Sequence, residues 1–284
     1  MNIYVSTSAI KKPFNLETVL QHYDDMNIRY VELGSSHKYC FTIEEVLRKY
    51  QHMNFVIHNY FPPPEEPFAL NLSSIDEEVR KQSIEHAKKA IDLCVDCNSP
   101  IYSIHAGMVA NPKKIEFFEG FSFEEIDVNE DIYEMCFNFL VESCKEINEY
   151  AVRKGIKFAI ETSGGHPKKF KYLMMTTENE FKRLLNEIPS ENFGILLDIG
   201  HYTISEAVYP EEDVKSFINT FKSRIFQVHI HHNDGSNDQH LPPTDKELSL
   251  LSSFAKDTIL VLESMQNEPK SILQSTSEIQ SYFK

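Results

Sequence analysis

Eight short apolar runs, separated by longer amphipathic stretches, recur along this 284-residue chain and restrict what it can fold into. They are Ile3–Val5, Tyr30–Leu33, Phe55–His58, Ile101–His105, Ile156–Ile160, Gly194–Leu197, Ile225–Ile230 and Ile259–Leu262. Between them, Ile84, Ala87, Ile91 and Cys94 recur at three- and four-residue intervals, as do Tyr133, Phe137, Leu140, Cys144, Ile147 and Ala151, so each set lines one helix face. Further helices are predicted at Leu16–Asp25, Ile43–Lys49, Thr177–Glu187, Glu211–Phe221 and Lys246–Phe254, and from Ser271 onward. Strand and helix patterns in strict alternation, with no composition break, predict a single (β/α)8 TIM barrel domain over residues 1–284. An open doubly wound sheet is the runner-up, but no Gly-rich phosphate turn follows the first run.

In such a barrel the reactive groups stand at the C-terminal ends of the strands. Six of the eight runs end in a metal-type ligand: His58, His105, Glu161, Asp198 with His201 one helical turn on, His229, and Glu263. Buried imidazoles and carboxylates are costly unless paired or coordinated, so their repetition around one ring argues for a shared site. The densest stretch is Gln227 to His240, QVHIHHNDGSNDQH, where alternation puts His229 and His231 on one strand face. Asp238 and His240 follow in a polar loop, separated by one residue, and both can reach one ion.

Composition bounds the partners. The formal net charge is −15, so duplex DNA is not expected, since an acidic surface repels a phosphate backbone. No apolar run approaches the roughly 20 residues that cross a bilayer, and the N-terminus lacks a basic then apolar signal pattern, which predicts a cytoplasmic protein without membrane contact. The five cysteines, Cys40, Cys94, Cys97, Cys136 and Cys144, have no disulfide-type spacing and suit a reducing compartment. Oligomeric state is left open.

The segments VIHNY, SIHAG, AIETSGG, LLDIGH, QVHIHHNDGSNDQHLP and LVLES, in this order, resemble the xylose isomerase-like TIM barrel superfamily, in particular the AP endonuclease family 2 group of endonuclease IV and sugar phosphate isomerases and epimerases. The resemblance implies three metal ions: His58 and His105 in a first site, Glu161 bridging to a second completed by Asp198, His229 and Glu263, and His201, Asp238 and His240 in a third. Single-metal isomerases of the superfamily need only Glu161, Asp198, His229 and Glu263. Two features depart from the endonuclease pattern: His232 stands where an aspartate is expected, and LPPTD follows His240. YVSTSAI and ELGSSHKYC also lack the basic and aromatic pattern of DNA recognition.

These readings predict a metal-dependent hydrolase, most of all of a small anionic phosphoester such as a sugar phosphate, using two or three divalent ions, zinc in the first place with manganese or magnesium as alternatives, and a metal-bound hydroxide. The alternatives are a sugar or sugar-phosphate isomerase or epimerase with one ion and a Glu161/Glu263 acid-base pair, and a non-catalytic metal- or sugar-binding barrel. Lys113, Lys168 and Lys169, after the fourth and fifth runs, are predicted to attract an anionic substrate, and His231 to contact it. The stretch from Ala106 to Glu130, with Phe117, Phe118, Phe121 and Phe123, is long for a βα connection and reads as a lid, a dimer contact or a satellite cluster on the rim.

Overall fold

The computed structural model describes residues 2–10, 15–35, 37–112, 114–116, 120–123, 127–266 and 269–282, with the backbone alone at 114–116, 120–122 and 269. Among the described residues, ten strands lie in this order: β1 (Ile3–Ser6), β2 (Tyr30–Leu33), β3 (Asn54–His58), β4 (Ile101–His105), β5 (Lys114–Glu116), β6 (Gly120–Ser122), β7 (Lys157–Glu161), β8 (Phe193–Asp198), β9 (Ile225–Ile230) and β10 (Ile259–Leu262). Eight of them close into a parallel barrel in the order β1-β10-β9-β8-β7-β4-β3-β2, and β5 and β6 pair separately as an antiparallel hairpin. The TIM barrel read from the sequence is therefore the fold, and each of the eight apolar runs supplies one barrel strand.

The helices are α1 (Leu16–Asp25), α2 (Ile43–Lys49), α3 (Glu77–Asp96), α4 (Glu130–Lys154), α5 (Glu178–Glu187), α6 (Ile199–Val208), α7 (Val214–Phe221), α8 (Asp245–Leu248) and α9 (Pro269–Ser281). Two expectations need correction. The connection after β8 holds two helices, α6 and α7, the second starting at Val214 because the Asp213 side chain accepts from Ser216 N and caps it. The helix expected over Lys246–Phe254 breaks into the single turn of α8 and a 3-10 turn at Leu251–Ser253.

Two apolar assemblies hold the frame. The larger contains Val31, Ile57, Ile104, Ile160 and Leu197 from the strands together with α3 residues Ala87 and Ile91 and α4 residues Leu140 and Cys144. The smaller gathers Val56, Ile101, Ala159 and Leu196, with Tyr4, Phe226 and Ile259 against it. Side chains two apart share a strand face, so His58, Glu161 and Asp198 stand one layer above Val56, Ala159 and Leu196. All five cysteines are free thiols.

Candidate metal centre

The strand register assembles the site. His105 pairs with Glu161 across β4 and β7, and Asp198 with His229 across β8 and β9, so four donors come side by side at the C-terminal rim. His58 ends β3, and Glu263 follows β10 directly. His201 lies in the first turn of α6, whose N-terminus Asp198 caps by accepting from His201 N at 2.7 Å. Asp238 and His240 lie in the connection after β9, whose ends are tied by the His232–Leu241 bridge. The nine residues proposed as ligands thus lie at one end of the barrel.

Their donor atoms fall into two groups that share Glu161, one of His58, His105 and Glu161 and one of Glu161, Asp198, His229 and Glu263, and a separate group in which His231 joins His201, Asp238 and His240. Glu161 divides its oxygens between the first two. Its Oε2 lies 3.3 Å from His58 Nε2 and 3.0 Å from His105 Nδ1, while its Oε1 lies 3.4 Å from His229 Nδ1. His229 Nδ1 also stands 3.5 Å from Asp198 Oδ2 and 2.9 Å from Glu263 Oε2. Although buried, neither Glu161 oxygen nor His229 Nδ1 has an aligned hydrogen-bond partner among the described residues. Donors separated by about 3.3 Å but not aimed at one another are what a common ion with bonds near 2.1 Å requires, so the residues fit a divalent metal.

The far nitrogens of these rings are held. His58 Nδ1 lies 3.2 Å from Ser103 Oγ, His201 Nδ1 donates to Thr162 O at 2.8 Å, His240 Nδ1 donates to Glu263 O at 3.0 Å, and His229 Nε2 lies 2.8 Å from Glu32 Oε2. Such contacts fix ring orientation and leave the other nitrogen to face a metal. Glu32, fully buried at the end of β2 and also accepting from Gln227 Nε2 at 2.5 Å, is absent from the sequence-derived set. The signal that could have found it is its place in YVEL, a carboxylate one residue from the end of an apolar run, as His229 is in IFQVHI.

Electrostatics bind acids and imidazoles together. Burial alone would push the Glu161 carboxyl up, but His105 and His58 outweigh it and hold Glu161 well below the usual range. Asp198 is likewise held down against burial by His201 and His231, and Glu263 is lowered to about 2 against burial by His229. The reverse holds for the bases: Asp238 raises His240 to about 10 despite burial, and His201 and His229 are also raised well above the usual imidazole value despite burial. Burial lowers His58, with Glu161 opposing.

The remaining expected residues lie around this centre. His231 is fully buried, its Nε2 2.8 Å from Asp198 Oδ2 and its ring stacked on His240 at 4.0 Å. Glycines make room for two rings: a Cβ on Gly200 would collide with the His231 ring at Cε1, and one on Gly164 with the His201 ring at Cδ2. Lys168 is exposed and Lys169 half-buried on the 3-10 turn Pro167–Tyr172 beyond β7. Lys113, Phe117 and Phe118 lie outside the described residues, and Phe121 is described only in its backbone. Phe123 stacks on Tyr172 at 4.8 Å, and Met108 bridges to Leu173, so the long connection after β4 packs on the one after β7.

A model of the family described as xylose isomerase-like TIM barrel matches residues 23–280. An uncharacterized protein of Methanocaldococcus jannaschii is 28% identical over 67% of this chain and 57% of its own length. Fructoselysine 3-epimerase of Shigella flexneri is 23% identical over 67% of this chain and 59% of its own. A probable endonuclease 4 of Persephonella marina is 26% identical over 56% of this chain and 48% of its own. The chain thus spans about half to three-fifths of the length of these curated relatives. Among solved structures, a D-tagatose 3-epimerase-like protein superposes with a TM-score of 0.74 at 20% identity, covering 100% of this chain and 97% of the other, a likeness of fold.

Proposed function

Because the chain belongs to the xylose isomerase-like TIM barrel family, we propose that it is a divalent-metal-dependent isomerase or epimerase of a small sugar or sugar derivative. The observation that carries this reading is the set Glu161, Asp198, His229 and Glu263, contributed from or just beyond β7, β8, β9 and β10, with its donor atoms within reach of one ion. The relatives named for 3-epimerase activity support it over the hydrolase otherwise favoured from sequence. Those four residues would hold the ion, with zinc the first candidate and manganese or magnesium the alternatives. When bound, the ion supplies polarisation of a carbonyl and its neighbouring hydroxyl. Glu161 and Glu263, both held ionised by their histidine neighbours, would take a proton from the carbon beside that carbonyl and return one. Asp198 and His229 would remain as ligands, and His58 and His105 would face the sugar hydroxyls.

The test is a panel of ketoses incubated in D2O with metal-loaded protein and followed by proton NMR. Deuterium entering the carbon beside the carbonyl supports proton transfer, whereas full metal loading with no exchange and no product would sink it. A second reading, hydrolysis of a small phosphoester by a two- or three-ion centre, is favoured by the division of Glu161 between the His58/His105 pair and His229. It requires His58→Ala to lower the number of ions bound and p-nitrophenyl phosphoesters to turn over; the epimerase reading requires neither. In either reading an anionic substrate would draw on Lys168 and Lys169, and K168A/K169A should then raise KM several-fold at low salt and less at high salt. An unchanged KM would leave these lysines as solvated surface.

A further inference from the structure

The connection after β9 opens on an imidazole to which neither reaction assigns a step. His231 is fully buried, so it has no surface to offer a substrate. It comes two residues after His229, on the same strand face, which brings it beside the end of β8, the strand paired with β9. Its Nε2 lies 2.8 Å from Asp198 Oδ2, and its Nδ1 has no hydrogen-bond partner among the described residues. A polar ring in the interior is costly unless it is hydrogen-bonded, and among the described residues this ring's one hydrogen bond is to Asp198.

The ring is hemmed in on its other sides. One face stacks on the His240 ring at 4.0 Å and 15°, and the His201 ring meets it edge to face at 5.7 Å. Helix α6 carries glycine at the point of contact, because a Cβ on Gly200 would collide with the ring. A ring so enclosed gives its hydrogen bond a fixed direction, and Asp198 receives it. The Asp198 backbone N donates to Thr162 Oγ1 at 2.9 Å, and Oδ1 accepts from His201 N at 2.7 Å. These contacts leave Oδ2 on the side of His229 Nδ1, 3.5 Å away, and of the ion the two would share. A carboxylate oxygen has two lone pairs, so Oδ2 can accept from His231 with one and keep the other for a metal.

We propose that His231 is a positioning residue of the metal centre: donating from Nε2, it holds the Asp198 carboxylate in the orientation that presents Oδ2 to the ion of the Glu161, Asp198, His229 and Glu263 group. It acts through Asp198 and touches neither ion nor substrate, in place of the substrate contact expected from sequence. Hydrogen-bonded carboxylate ligands bind metal more tightly because they no longer have to be ordered when the ion arrives. The proposal rests on the reading that Asp198 holds an ion, which the epimerase and hydrolase alternatives share.

The experiment measures zinc affinity of the full chain by chelator competition, for wild type, His231→Gln and His231→Leu, with circular dichroism to check each fold. Both variants keep roughly the volume of the ring, but only Gln carries an N–H that can reach Asp198. His231→Leu should lower zinc affinity about 10- to 100-fold, as loss of a ligand's hydrogen-bond partner does, and His231→Gln should restore most of it. In an Asp198→Ala background His231→Leu should change affinity no further. Wild-type affinity in His231→Leu overturns the proposal, and so does a loss that persists in full once Asp198 is gone. Should His231→Leu not fold, heteronuclear NMR of the histidine rings in zinc-loaded wild type decides: a proton on His231 Nε2 is expected, and an Nε2 that is bare or bound to metal overturns the proposal. A wild type that binds no zinc ends the metal-centre reading and this proposal with it, whereas an indifferent His231→Leu ends the proposal alone; a failed sugar assay touches neither measurement.

Discussion

At the scale of single residues, the most consequential contact is the one between Glu32 and His229. A carboxylate on Nε2 fixes the tautomer, so that Nδ1 faces Glu161, Asp198 and Glu263 as a donor. Replacing Glu32 by Gln keeps the volume but removes the charge. The expected outcome is metal affinity in the four-donor group reduced about 10- to 100-fold with the fold retained, measured by chelator competition beside circular dichroism. Unchanged affinity would mean that Glu32 only fills the barrel. Glu161→Gln should cut turnover by at least about 100-fold, as loss of a proton-transferring carboxylate does, and wild-type turnover by that variant would rule out both enzyme readings. The nine proposed ligands were legible because each closes an apolar run or belongs to a recognisable motif. The role of Glu32 was not, because its partner lies 197 residues away and only barrel closure brings them together.

At the scale of elements, strand ends were easier to read than helices. A strand announces itself by a short apolar run, and a residue at or next to its end is the one the barrel presents; β2, β4, β9 and β10 carry the expected bounds. Helix α6 was not expected as a separate element, although the three-residue step from Asp198 to His201 already placed them one turn apart. It begins at once after β8 because Asp198 is both the last strand residue and the helix cap. These two duties can be separated. Asn caps a helix as well as Asp does but lacks the charge, whereas Ala does neither. Asp198→Asn should therefore keep the cap while losing both metal and, in metal-free protein, the charge pairing with His201 and His231, and Asp198→Ala should lose about 1 kcal/mol in addition. Equal melting temperatures for the two variants would show that the cap contributes nothing and that the side chain is retained for the ion alone.

At the scale of the whole molecule, an acidic chain of net charge −15 concentrates its buried carboxylates at one end and neutralises them with histidines. In metal-free protein His240, raised to about 10 by Asp238 against the effect of burial, holds its proton at neutral pH, and His201 and His229 are pushed the same way. A metal needs the lone pair that this proton occupies, so binding must expel it. The sign follows: below the raised value the proton competes with the ion, and apparent affinity climbs as pH rises, up to tenfold per unit for each proton displaced, levelling off toward pH 10 for His240. The acids do not oppose this trend above about pH 5, because Glu263, at about 2, is already ionised there, and Glu161, Asp198 and Asp238 are likewise held well below the usual carboxylate range. Zinc titration by calorimetry at pH 7 in two buffers of different ionisation enthalpy should accordingly report net proton release. Because His58 is held low by burial, it joins the first group without a proton to lose at neutral pH. Binding heats that are the same in both buffers would mean that the histidines are neutral before the ion arrives, and that the mutual pairing of acids and imidazoles at the barrel mouth does not form in solution.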